Sequence, residues 1–115
     1  MNNRLLTPGM ELDPAEPLWK RVPTRDANGN RLSDFMMIIP KLRSKPRELI
    51  HRTIGEIQKV LEQYQRAVVF ADLNLKLNVL WVSVRPIPGI CLELPTAIKM
   101  RVPEAILVGE QFKRG

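Results

Sequence analysis

PRELIHRTIGEIQKVLEQY, residues 46–64, repeats its apolar side chains at Ile50, Ile54, Ile57, Leu61 and Tyr64. Steps of four and three place these residues on one face of a helix. Leu49 and Val60 widen the stripe, while Arg47, Glu48, Arg52, Glu56, Lys59 and Glu62 occupy the other faces. The spacing predicts an amphipathic helix lying on a core. Ser44 is the expected N-cap and Pro46 suits the first turn. Gly55 costs about 1 kcal/mol relative to alanine, which suggests a close approach to a sheet.

Downstream, RAVVFADL (66–73) and LNVLWVSVR (77–85) read as two strands of a hairpin joined by about three residues around Asn74. Asp72 and Asn74 read as turn residues. In the second strand Leu77, Val79, Trp81 and Ser83 share one face, and Leu80, Val82 and Val84 share the other. Pro86-Ile87-Pro88-Gly89 forces a turn. ICLELPTAIKMRV (90–102) has two readings. As a helix, it lines up Leu94, Ala97, Ile98 and Val102, with Pro95 in the first turn; as an extended segment, it alternates Leu92 and Leu94. Pro103 stops either one, and AILV (105–108) is a last short strand.

Upstream, RLSDFMMIIP holds a strand from Leu32 to Ile39 that Pro40 closes, since proline donates nothing to a ladder. RDANGN (25–30) is a turn, because Asn and Gly tolerate positive φ. LWKRV (18–22) is a further short strand. The chain thus divides into a loose arm at 1–15, one α+β domain at 16–110, and a tail at 111–115 with Phe112 as an anchor. The order βαββαβ predicts a ferredoxin-like sandwich, an antiparallel sheet covered by two helices, with an extra N-terminal strand or hairpin.

In this order the chain resembles the ACT-like family of small regulatory domains. The resemblance lies in the strand DFMMIIP, the helix ending VLEQYQR, the pair RAVVFADL and LNVLWVSV, and the final VPEAILVG. It is one of pattern, covering residues 34–109. It implies a regulatory module that pairs with a second copy and takes a small effector between subunits. The family's effector loop follows the first strand and carries small residues. Here that loop is KLRSKPRE, basic and without glycine.

A chain of 115 residues with 44% hydrophobic content is long enough for one core. No apolar run reaches the roughly 20 residues that span a bilayer, and the N-terminus lacks the order of a secretory signal, so a cytoplasmic location is expected. The single cysteine, Cys91, and single histidine, His51, fall short of a Cys/His metal site, and no cofactor is expected.

The formal charge of +6 is concentrated. Lys41, Arg43, Lys45, Arg47 and Arg52 stand against one acid, Glu48, within residues 41–52. Cations at a helix start oppose its dipole, yet they strengthen the field that draws an anion to unpaired N–H groups there. Lys41, Arg43, Ser44, Lys45 and Arg47 are therefore the candidate site for a small anion or a protein partner. The competing reading is a solvated connection.

Nucleic acid is the second candidate partner. The βαββαβ order is shared with RNA-binding modules that stack bases on aromatics of their first and third strands. Their third-strand signature is missing, leaving Phe35 and Trp81 as the aromatics at issue. Catalysis ranks third. His51 lies at the edge of the helix stripe, and Cys91 reads as a small hydrophobe without a local base to activate it. The strands carry more apolar surface than two helices need. Met36, Trp81 and Val82 are thus candidate residues of a homodimer interface. The alternative is that LWKRV, with Trp19, folds over that surface within one chain.

Overall fold

The structure, a computed structural model, describes residues 25–108. The N-terminal arm, the strand at 18–22 and the tail lie outside the described residues. Four strands, β1 (Ser33–Ile38), β2 (Val68–Asn74), β3 (Val79–Val84) and β4 (Ile106–Val108), form one sheet in the order β2-β3-β1-β4. Every pairing is antiparallel. Two helices complete the α+β unit: α1 (Arg47–Gln63) and α2 (Ile90–Arg101). This arrangement is compatible with a ferredoxin-like one.

Alternation along the strands assigns the two faces of the sheet. Phe35 and Met37 on β1, Ala71 and Leu73 on β2, and Leu80, Val82 and Val84 on β3 are buried in one cluster with the helices. From α1 come Ile57, Val60 and Leu61; from α2 come Ile90, Leu94 and Ile98. The register pairs Phe35 with Val82 and Met37 with Leu80, so like faces meet. Asp34, Met36, Ile38, Phe70, Asp72, Trp81 and Ser83 point the other way. A register shift between Val68 and Phe70 bulges β2, which places Val69 outside this alternation.

The helix predicted at 46–64 forms with its stripe facing the core, but its start differs. Pro46 is the N-cap, its carbonyl accepts the Leu49 and Ile50 N–H groups, and no side chain caps the helix. Ser44 instead sits in a single 3₁₀ turn, Leu42–Ser44, so it does not cap α1. A Cβ built at Gly55 meets nothing within 4 Å, so close packing does not require glycine there.

Residues 90–101 are helical. Gly89 takes φ 78, and its carbonyl accepts the Leu92 and Glu93 N–H groups at 3.1 and 2.9 Å. Pro95 falls inside the helix rather than in its first turn. It donates nothing to the Cys91 carbonyl, and the Thr96 hydroxyl donates to the Leu92 carbonyl at 2.7 Å. Burial of Leu94 and Ile98 on one face decides for the helix over the extended alternative. At the far end of α1, the Tyr64 hydroxyl donates to Glu93 at 3.0 Å, joining the helices. That bond, with desolvation and the nearby carboxylate charge, raises the hydroxyl above its ordinary pKa.

The turn at 25–30 is built as the sequence predicts. Arg25 and Arg31 form an isolated antiparallel bridge, and Gly29 takes φ 85. One Asp26 carboxylate oxygen accepts the N–H groups of Asn28 and Asn30 at 2.8 and 2.9 Å. The Asn30 bond is the main reason this carboxyl sits below its ordinary range.

Candidate functional site

The basic connection between β1 and α1 is anchored from below by one apolar side chain. Leu42 is completely buried, while its neighbours Lys41 and Arg43 are exposed. Lys41 adopts the left-handed conformation, φ 60 and ψ 14, uncommon for a residue with a Cβ. The turn closes through Leu42 N–H to the Ile39 carbonyl at 3.2 Å and Ser44 N–H to the Lys41 carbonyl at 3.0 Å.

A second loop holds this one in place. The β2–β3 hairpin turns through residues 75–78, where Asn74 Oδ1 accepts the Lys76 and Leu77 N–H groups at 2.9 and 3.1 Å. Asn78 ends the turn at φ 59. Its backbone carbonyl accepts Ile39 N–H at 2.9 Å, and its side-chain Oδ1 accepts Arg43 N–H at 2.8 Å. Asparagine suits both tasks, since it tolerates positive φ and offers an acceptor. Lys76, exposed and two residues away, therefore joins the basic end of the sheet.

The sequence-predicted cations do not remain equivalent. Lys45 Nζ pairs with Glu104 at 2.9 Å, and that hydrogen bond is the main reason the Glu104 carboxyl lies below its ordinary value. Lys41, Arg43, Ser44 and Arg47 are exposed, with Glu48 the acid in the first turn of α1. What this end can do chemically is attract and hold negative charge. Ile38 and Ile106, paired across β1 and β4, and Leu77 expose apolar surface at the same end.

The other candidates separate. His51 is exposed near the start of α1, and Cys91 is half-buried near the start of α2. The strand connections run these helices in opposite directions, so the two residues stand at opposite ends of the helical layer. Among the described residues, no three His, Cys, Asp or Glu side chains come together as a metal site. An open apolar groove between Ser33 and residues 86–92 lies at the Cys91 end, away from the basic loops.

The proposed interface residues also divide. Val82 is completely buried under the helices and offers nothing to a partner, whereas Met36 and Trp81 lie opposite each other on the other face. Phe35 too faces the helices, 7% exposed, so it provides no stacking platform. Asp72 is not a turn residue: it lies within β2, 2% exposed.

No protein-family model, no curated protein and no solved structure matches the chain. Among the described residues, no helix is long and apolar enough to cross a membrane.

Proposed function

We propose that this protein is a non-catalytic binding or regulatory module that takes an anionic group at the end of the sheet bearing Lys41, Arg43, Arg47 and Lys76. The bond from Arg43 N–H to Asn78 Oδ1 carries this reading. It ties two loops that are distant in sequence, so cations from both surround one region. Held loops place charge without the ordering cost that mobile ones pay on binding. Neutralisation of Lys45 by Glu104 leaves the other four to act outward. We read the architecture as ferredoxin-like, on the strand order and the split βαβ connections.

The test is thermal melting against inorganic phosphate, pyrophosphate, nucleotides, phosphorylated metabolites, amino acids and a short single-stranded RNA. A rise in Tm with one small phosphate-bearing compound, lost in the Arg43→Ala/Arg47→Ala double variant, is the expected result. Indifference of both proteins to all anions would sink the reading. A shift by RNA alone, abolished by salt, would transfer it to nucleic-acid binding.

A further inference from the structure

The basic end of the sheet also holds aliphatic side chains in water. Leu77, in the β2–β3 turn, is 65% exposed. Ile106, which opens β4, is 49% exposed, and its register partner Ile38 on β1 is exposed as well. Lys76 precedes Leu77, so one turn presents a cation and an apolar side chain together. The bond from Arg43 N–H to Asn78 Oδ1 holds that turn against the loop of Lys41 and Arg43. Against the cations Lys41, Arg43, Arg47 and Lys76 stands Glu48, since Glu104 is engaged with Lys45.

We propose that this end docks the protein on the surface of a bilayer containing anionic phospholipids, with Ile38, Leu77 and Ile106 at the acyl boundary and Lys41, Arg43, Arg47 and Lys76 among the headgroup phosphates. A free phosphate would account for the cations but leave Leu77 and Ile106 in water. RNA adds base stacking, which uses aromatic faces, whereas the exposed apolar groups here are aliphatic. A protein interface gathers aromatics at its core and disfavours lysine, yet Lys41 and Lys76 stand beside these side chains. Aliphatic side chains set among cations match a bilayer surface: the acyl region takes up the first, and acidic headgroups attract the second. Stable surface attachment takes two such signals together and requires no spanning helix. Docking of this kind rests on the anion reading above, with lipid headgroups as the source of the negative charge.

The experiment is co-sedimentation of the full chain with two kinds of vesicle, phosphatidylcholine alone and phosphatidylcholine with phosphatidylglycerol. Melting of the same protein with pyrophosphate runs beside it. Binding to the acidic vesicles only is expected. Lys76→Ala should weaken the partition about fivefold, and Leu77→Ser about tenfold. Leu77 is exposed, so Leu77→Ser leaves the Tm of the free protein unchanged. Equal partition of Leu77→Ser and the parent would mean attraction by charge alone and would overturn the proposal. Equal binding to neutral and acidic vesicles would overturn it too. No binding to acidic vesicles, with a rise in Tm on pyrophosphate, overturns the proposal and leaves the anion reading in place; absence of both effects removes the two together. Binding of single-stranded RNA with indifference to vesicles would replace the bilayer by a nucleic acid.

Discussion

Asn78 Oδ1 accepts the backbone N–H of Arg43 across 35 residues of chain, at 2.8 Å. This one side chain fixes where the basic connection sits relative to the β2–β3 hairpin, while its own backbone holds the left-handed conformation the hairpin needs. Two substitutions separate these roles. Asn78→Gly keeps the conformation and removes the bond, for an expected loss of about 0.5–1.5 kcal/mol. Asn78→Ala also places a Cβ at positive φ and should lose about 1–2 kcal/mol more. Urea unfolding of both variants checks the order. Equal midpoints would mean that the backbone conformation contributes nothing.

Leu42 should be the costliest position in the basic loop, although it carries no charge. It is completely buried between exposed Lys41 and Arg43. Leu42→Ala should lose about 2–5 kcal/mol, whereas Arg43→Ala stays within about 0.5 kcal/mol. Chemical denaturation measures both. A mild Leu42→Ala would show that the loop is not anchored through this side chain.

Lys76 tests the electrostatic side of the site. If the hairpin cation shares one field with the strand–helix loop, Lys76→Ala weakens an anion-induced rise in Tm without changing the Tm of the free protein. A full rise in Lys76→Ala would confine the site to residues 41–47.

The elements that could be read from the sequence are those whose signal is local. Helix α1 follows from the 3.6-residue period of Ile50, Ile54, Ile57 and Leu61, and the turn at 25–30 from the Asn and Gly residues of RDANGN. Helix α2 was ambiguous because Pro95 sits in its interior, and the spacing of Leu92 and Leu94 mimics a strand. The positive φ of Gly89, which starts the helix, is a backbone fact that no periodicity reveals. Half of the candidate site was legible as a run of cations. The remainder depended on topology: Lys76 enters through the hairpin, and Lys45 leaves through Glu104, 59 residues away. Asp72 looked like a turn residue because acids favour turns, but the pairing of Asp72 with Trp81 puts it in the strand. Hydrophobicity alone groups Val82 with Trp81, but alternation along β3 puts the two on opposite faces.

Two glycines should respond to alanine in opposite directions. At Gly55, inside α1, an added Cβ meets nothing, so Gly55→Ala should stabilise by about 0.5–1 kcal/mol through helix propensity. Gly89 also has open space around it, but its φ of 78 makes Gly89→Ala unfavourable by about 1–2 kcal/mol. Differential scanning calorimetry gives both signs. A destabilising Gly55→Ala would mean that α1 packs more tightly there than the open space indicates.

The pair Lys45–Glu104 gives a signed pH dependence. Its 2.9 Å contact lowers the Glu104 carboxyl below the ordinary 4.5, so the folded protein binds this proton more weakly than the unfolded chain does. The contribution is therefore complete above the unfolded value and is lost as pH falls through the lowered folded value. Both side chains keep about a third of their exposure, so solvent screening limits the effect to no more than about 1 kcal/mol. The Tm difference between the parent and Glu104→Gln should be largest at neutral pH and shrink as pH falls below about 4.5 and on through the lowered folded value. In a Lys45→Ala background the same difference should be flat across that range. A difference that grows on acidification would reverse the sign and rule out the pair as its source.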